Sequence, residues 1–534
     1  MTNNLDERME DNVLHHPDKP AFIFKEAGGG WNSLSYRQFL ELVNNLEKGL
    51  LVLGLPHHTK AVLMIPPDIS FFALAFAMLK AGITPVIIDP AIGLKNVTSC
   101  LAETRPDIFI GTPLIHCLRI LFGWGQSSIK STLTIKQILQ AGSFAPNRDG
   151  SPDKALADAA IIFTSGSTGL PRGAIYTHEN LLAQMDMLVN SLNLQGSEVD
   201  LPAFPVFAII DLLLGVTAVI PDLHFPKPAR VNPQLIIEAI QIHKVDTLFA
   251  SPIVLDRMAY YAENHPTRLP NLKRVITAGA PAPVPVLQNF LKCLGPNTKI
   301  YGIYGSTEAL PIALIDCQEI LNETRFATEA GAGICVGKPV EGINVQIIPI
   351  SDGGLSNGTA LYGIPPGTTG EIMVQGTAVT TAYTGSPEHT LLSKFRDSLG
   401  LTHHRMGDLG YFDEHGRLWY CGRKSHRVQT PNGVLFSERV EGIFNAHPDV
   451  YRTALVGIQI KEQVTPVLWV ELKRTVRSHH REKVRQELLN IAARHEMTRN
   501  IKDILFQGTF PTDVRHNSKI IREKLAVMAH KRLK

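Results

Sequence analysis

The chain reads as an α/β protein: a large N-terminal domain of β-sheets wrapped by helices, then a small α+β domain. Three observations predict this. At 534 residues it is too long for one ordinary core, so at least two domains are expected. Short apolar runs bounded by Pro, Gly and Asp alternate with helical stretches, the pattern of parallel sheets covered by helices. Near Cys421-Gly422-Arg423-Lys424 a smaller unit begins, so the expected domains are 1–421 and 422–534.

The elements follow in order. Ser35-Tyr36-Arg37-Gln38 has the form of a capping box, and Phe39, Val43, Leu46 and Leu50 continue at helical spacing. Residues 61–65 predict a buried strand stopped by Pro66-Pro67. Residues 71–81, apolar nearly all round, predict an interior helix. Val86-Ile87-Ile88 is the next strand, closed by Asp89-Pro90. Residues 141–154 are rich in Gly, Ser, Pro, Asn and Asp and read as an exposed connection. Ala159-Ala160-Ile161-Ile162-Phe163 is a buried strand, and His178-Glu179-Asn180 opens a helix. The longest apolar run, 206–220, contains Asp211 and falls short of the ~20 residues that span a bilayer, so a buried helix is expected. Val275-Ile276-Thr277, 300–303 and 370–374 read as strands. In the C-terminal unit, 454–458 and 467–472 are strands, and Val484, Leu488 and Ile491 mark a helix face.

Composition excludes several classes. Hydrophobic residues make up 44% of the chain and mean hydropathy is +0.03, as in a soluble globular protein. A net charge of +3 gives no footing for nucleic acid or an anionic membrane as partner. The six cysteines are scattered, as expected for reduced, buried thiols in the cytoplasm. Asp6, Glu7, Glu10 and Asp11 leave the N-terminus without the apolar centre of a signal peptide. The paired histidines, His403-His404 among them, lack zinc spacing, so no structural metal is expected.

The most informative stretch is Thr164-Ser165-Gly166-Ser167-Thr168-Gly169-Leu170-Pro171-Arg172-Gly173, directly after a strand. Glycines let backbone N–H groups turn toward an anion, and hydroxyls add donors. Arg172 can hold phosphate oxygens as a planar fork. The natural guest is a polyphosphate. A plain surface loop is the alternative, and the matching motifs downstream weigh against it. A P-loop NTPase would need Gly-Lys-Ser/Thr running into a helix, and this loop ends Pro-Arg-Gly-Ala.

In Tyr304-Gly305-Ser306-Thr307-Glu308 the aromatic can stack on a purine and the hydroxyls can reach phosphate. Glu308 can hold Mg²⁺, which favours one or two carboxylates plus substrate phosphates. Asp408, in Met406-Gly407-Asp408-Leu409-Gly410, can accept from both hydroxyls of a ribose. Asp211 interrupts an apolar run. A buried carboxylate without a partner is costly, so Asp211 either has a partner or faces a pocket. A satisfied core pair or a helix cap is the first reading, and a substrate-pocket lining the second.

These motifs, in this order, resemble the acyl-adenylate-forming superfamily: acyl-CoA synthetases, peptide-synthetase adenylation domains and luciferases. The resemblance covers essentially the whole chain, and Arg172 stands where the family usually has lysine. It implies ATP and Mg²⁺. Thr164, Ser165, Gly166, Ser167, Thr168, Gly169 and Arg172 would serve the phosphates. Gly279, Ala280, Tyr304, Gly305, Ser306 and Thr307 would serve the nucleotide, as would Asp408 and Arg423, with Glu308 on the metal. Lys519 matches the lysine that the family's mobile C-terminal domain brings to the site. Lys519, Glu308 and Thr164 are therefore the catalytic candidates. Pro205-Val206-Phe207-Ala208 lies where many acyl-CoA synthetases carry a proline, an aromatic and a histidine, so Ala208 takes the histidine position. His178, Phe207, Ala208, Asp211, Pro281 and Leu310 are candidates for the substrate pocket, and His178 and Asp211 are also candidate bases.

The family's hinge aspartate is missing from Lys424-Ser425-His426-Arg427, and its CoA-proximal segment is altered at Gln429-Thr430-Pro431-Asn432-Gly433. Both departures speak against CoA as acceptor. More particular stretches are Tyr304 to Pro311, Thr328-Glu329-Ala330-Gly331-Ala332-Gly333, and Val514-Arg515-His516-Asn517-Ser518-Lys519. These resemble the β-lactone synthetases of bacterial long-chain olefin biosynthesis. That resemblance implies a long-chain 2-alkyl-3-hydroxy fatty acid, activated as acyl-AMP and closed by its own hydroxyl. It also implies pathway partners: a thiolase-like condensing enzyme, a reductase and a hydrolase-fold decarboxylase. The alternatives are a long-chain fatty acyl-CoA synthetase and an acyl-AMP ligase serving a carrier protein. A nucleotide-binding protein without turnover would have lost a motif residue, yet Glu308, Asp408, Arg423 and Lys519 are all present.

Overall fold

The computed structural model describes residues 4–26, 29–55, 59–89, 92–144, 158–165, 171–204, 207–222, 230–355, 363–460, 462–512 and 519–533. A six-stranded sheet runs in the order Ser131–Leu133, Ile108–Gly111, Lys60–Met64, Thr84–Ile88, Ala160–Ser165, Pro171–Tyr176. Its strands are parallel up to the last pair, which is antiparallel. Parallel neighbours need crossovers, and the helices Ile69–Lys80 and Leu94–Thr104 supply two of them.

A 14-stranded sheet forms the rest of the large unit. Six of its strands run parallel: Pro20–Lys25, Thr217–Ile220, Val199–Pro202, Thr247–Phe249, Arg274–Thr277 and Lys299–Ser306, with Trp31–Ser35 antiparallel at the edge. From Ala309–Asp316 onward it is antiparallel and ends at Asn344–Ile348. The helix Ile69–Lys80 buries residues 71–78 on every side. It packs between the sheets, against Phe22 and Ala218 from one and Leu63 and Ile108 from the other. That position explains an apolar helix with no polar face.

The capping box at Ser35 is formed, and Thr177 caps the helix His178–Leu192 in the same way. The run 206–220 departs from expectation. It splits into a short helix, Ala208–Leu214, and a strand, Thr217–Ile220. Gly215 takes φ +75 and ends the helix, and the β-branched residues after it join the sheet. The expected strand at 300–303 continues to Ser306. Residues 141–143 finish a helix, and 145–154 lie outside the described residues. All six cysteines are free; five are buried, but Cys117 is exposed.

The strand Leu418–Arg423 still belongs to the large sheet. Further on, Val450–Ile460, Gln463–Leu472 and Asp503–Phe506 make a separate three-stranded sheet. Val484 and Leu488 pack on one of its faces and Leu525 and Ala529 on the other. Among the described residues, no helix is long and apolar enough to cross a membrane.

Two glycines set how closely the helices Tyr36–Val52 and Ile135–Ser143 approach. A methyl group at Gly49 would stand 2.0 Å from the Ile138 carbonyl oxygen, and one at Gly142 2.0 Å from that of Asn45. Gly49→Ala should lower the denaturation midpoint, because overpacking costs about 1–3 kcal/mol and outweighs the ~1 kcal/mol helix-propensity gain. Gly353→Ala, with only a flexible serine oxygen at 3.8 Å, should leave the midpoint unchanged. Urea unfolding of the two variants checks this.

Candidate nucleotide and acyl site

Ligands of open α/β sheets bind beyond the carboxyl ends of parallel strands. Here three such ends carry predicted site residues. Ala160–Ser165 leads to the glycine-rich loop, Arg274–Thr277 to Gly279 and Ala280, and Lys299–Ser306 to Thr307 and Glu308. Gly166, Ser167, Thr168 and Gly169 lie outside the described residues. Thr164 and Ser165 pair with Arg172 and Pro171, so Arg172 sits at the base of the loop. Gly279 takes φ +90, a turn conformation that a side chain would strain.

Glu308 is the electrostatic centre. The Tyr383 hydroxyl donates to its Oε1 at 2.7 Å, and Thr380 N–H donates to its main-chain carbonyl at 2.9 Å. Lys394 Nζ in turn donates to the Thr380 carbonyl at 2.5 Å and hydroxyl at 3.0 Å. Burial pushes the Glu308 carboxyl up, but His404, Lys394 and the Tyr383 and Ser306 hydroxyls outweigh it and hold the group at about 2. Burial lowers Lys394 and His404. The Arg172 guanidinium lies 5.8 Å from the Tyr383 ring centroid. Tyr383 thus joins the loop strand to Glu308, and the Tyr176 hydroxyl donates to the Thr307 carbonyl. Tyr383, Lys394 and His404 were not singled out from sequence. The only signal was their place between two recognised stretches, 370–374 and 406–410.

The second cluster is Tyr304, Asp408 and Arg423. The Tyr304 hydroxyl donates to Asp408 Oδ2 at 2.7 Å, and Arg423 Nε stands 3.1 Å from Oδ1. Burial raises the Asp408 carboxyl, against the pull of Arg423, Tyr304, Lys519 and His426. Lys519 thus acts on Asp408 from 111 residues further along the chain. Lys519 itself is exposed, and its neighbours Thr512 and Ile520 pair as an antiparallel bridge.

The substrate-pocket candidates divide. Ile210, Asp211 and Leu214 on the helix Ala208–Leu214, with Phe207 at its N-cap, face a small cavity of about 40 Å³ that is partly open to solvent. Their spacing is one helical stripe. Ala208 falls off that stripe into the core between the sheets, so its side chain does not line the cavity as expected. Phe207 stacks on Phe249 at 3.8 Å, and Leu310 packs in the same apolar cluster. His178 Nδ1 accepts from the Leu5 N–H at 3.2 Å, which gives it a structural task rather than a place in the cavity. Pro281 is exposed beside the Gly279 turn. Asp211 has both of the features left open for it: it is buried on the cavity wall, and it lies within hydrogen-bond reach of Asp200.

The altered hinge is fastened to the large unit. Lys424 Nζ stands 2.9 Å from Glu371 Oε1 and 2.7 Å from the Ser351 carbonyl. Glu371 is buried and also holds Arg405 at 2.6 Å. Arg427 reaches Asp352 at 2.6 Å.

The donor set fits a nucleotide and its cation. An ionised carboxylate supplies the hard oxygen that Mg²⁺ prefers, next to a phosphate-loop arginine and an acid suited to a diol. Fold and site together define an ATP-dependent, adenylate-forming ligase. The chain belongs to the AMP-binding enzyme family, whose profile matches residues 9–384. It is 40% identical to an olefin β-lactone synthetase of Xanthomonas campestris pv. campestris, over 93% of this chain and 91% of that protein. It is 38% identical to one of Stenotrophomonas maltophilia, over 98% of both chains. ATP-bound MatB from Rhodopseudomonas palustris shares the fold over 100% of both chains, with TM-score 0.79 at 18% identity.

His404 gives a pH test. Its ring ordinarily titrates at 6.5, and burial followed by the Lys394 charge lowers it to about 3. Between these values the unfolded chain holds a proton that the folded chain lacks, so stability falls as pH drops below 6.5. Urea midpoints of His404→Phe should fall less from pH 7 to pH 5 than those of the parent protein.

Proposed function

We propose that this protein activates a long-chain 2-alkyl-3-hydroxy fatty acid with ATP and closes it to a β-lactone, releasing AMP and pyrophosphate. What supports the reading is a pair of clusters built from the expected residues: Arg172 beside Tyr383, which donates to Glu308, and Asp408 held by Tyr304 and Arg423. Similarity to two β-lactone synthetases over nearly the full length supports the choice of product.

In this reading 1–421 carries the nucleotide and acyl sites and 422–534 carries Lys519. Asp408 accepts from the ribose hydroxyls, and Tyr304 flanks the purine. The substrate carboxylate attacks the α-phosphorus of ATP, and pyrophosphate leaves. Arg172 and the loop from Thr164 to Gly169 steady the phosphates, and Lys519 steadies the carboxylate and α-phosphate oxygens. Mg²⁺ at Glu308 supplies positive charge against the phosphate oxygens. Positioning and charge stabilisation are most of what such a transfer requires. The β-hydroxyl then attacks the activated carbonyl of its own molecule and AMP leaves. Internal attack draws on effective molarities that reach roughly 10⁵–10⁸ M, set against ring strain. No second acceptor is needed, which accords with the altered hinge and CoA-proximal segment.

The protein acts in the cytoplasm in this reading. A thiolase-like condensing enzyme and a reductase supply the acid, and a hydrolase-fold decarboxylase consumes the lactone.

A product assay with ATP, Mg²⁺ and a synthetic 2-alkyl-3-hydroxy acid tests this. Lactone and AMP are expected without CoA. A thioester that appears only with CoA, or on a carrier protein, would overturn the lactone assignment. Glu308→Gln and Lys519→Ala should each lower pyrophosphate release by about 10²–10³, the usual cost of one electrostatic group in a site. Lys519→Ala should leave the melting temperature unchanged, because the side chain is exposed.

A further inference from the structure

The sheet under the helix Ala208–Leu214 is built in two tiers. Asp200, Thr247 and Arg274 lie side by side on adjacent parallel strands. Two residues on, Pro202, Phe249 and Ile276 are neighbours in the same way. A period of two puts both tiers on one face, and residues of both line the cavity beneath Leu188 and Leu192. Leu201, Leu248 and Val275, on the other face, belong to a separate core.

The apolar tier adjoins the turn at Ala278 and Gly279. The polar tier lies deeper: Arg274 stands three positions before Thr277, about 10 Å of strand. Arg274 donates to Glu198, to the Thr247 hydroxyl at 2.9 Å and to the Asn193 carbonyl at 3.2 Å. Asp200 and Asp211 face each other within hydrogen-bond reach. Only 7% and 6% of their surfaces are exposed. Yet Asp200 Oδ1 and Asp211 Oδ2 have no hydrogen-bond partner among the described residues. Burial raises both carboxyls, so the pair retains a proton between them and needs no cation.

We propose that Asp200 and Asp211 form the polar floor of a channel for one hydrocarbon arm of the substrate, and that this floor sets the arm length the protein accepts. The proposal rests on the fatty-acyl reading above. Apolar walls reward each added methylene by about fourfold in affinity. An arm that reaches the floor can go further only by parting the Asp200–Asp211 pair. A buried polar group left without its partner costs about five- to 150-fold, the worth of one to about four methylenes. Affinity must therefore break at the length that meets the pair.

The test titrates the full-length protein by calorimetry with straight-chain saturated acids of increasing length, and follows pyrophosphate release with ATP and Mg²⁺ in parallel. In the parent protein Kd should fall about fourfold per methylene and then level or rise. Asp211→Leu should move that break to longer acids, and Asp211→Asn, which keeps the polar floor, should leave it in place. Asp200→Asn combined with Asp211→Ala provides a second variant, free of buried charge, that should also shift the break should Asp211→Leu not fold. A break that stays put in the Leu and Asn/Ala variants, a curve without a break, or no binding at all would overturn the proposal. A break that shifts without pyrophosphate release would uphold the floor and count against the adenylation reading instead.

Discussion

Everything at the centre of this molecule depends on keeping the Glu308 carboxylate charged inside a poorly solvated site. Burial alone would protonate it. Lys394 and the Tyr383 and Ser306 hydroxyls reverse that, and their demands fix the path of the chain from 380 to 394. Thr380 ties its backbone to that of Glu308. Lys394 closes the loop by binding Thr380. Tyr383 reaches from Glu308 toward the arginine of the phosphate loop. A single ionised group is thereby linked, through Tyr383, to the arginine on the strand that follows the glycine-rich loop.

Residues that would touch the nucleotide were legible because their chemistry is local. Gly-rich and hydroxyl-rich segments, Tyr304 to Glu308, Asp408 and Lys519 each declare a capacity within a few positions of sequence. Residues that tune that chemistry were not legible. Lys394 and His404 lie 86 and 96 positions after Glu308, and no spacing rule joins a strand residue to a carboxylate in a distant turn. Asp200 was missed for the same reason: Asp211 announced an unpaired acid, but its partner sits on a different element. Most strands and helices were readable from period and caps. The exception, 206–220, failed because uniform hydrophobicity erases the difference between a helix and a buried strand, leaving Gly215 as the only punctuation.

The cavity shows how a sheet can carry two environments on one face. Alternation along a strand separates the faces, and change along the strand grades a face from wet chemistry at its carboxyl end to hydrocarbon and then to acid. Ala208 illustrates the geometric limit of motif transfer. Its place in the motif suggested contact with substrate, but one hundred degrees of helical rotation carry it away from Phe207 into the core.

The fastening at 424–427 has a consequence for the buried acid it engages. Glu371 holds both Lys424 and Arg405, so withdrawing Lys424 does not strand a buried anion. Arg427, itself mostly covered, pairs with the exposed Asp352. The joint is therefore held by ion pairs that share one buried acid, and Glu371 is balanced twice over.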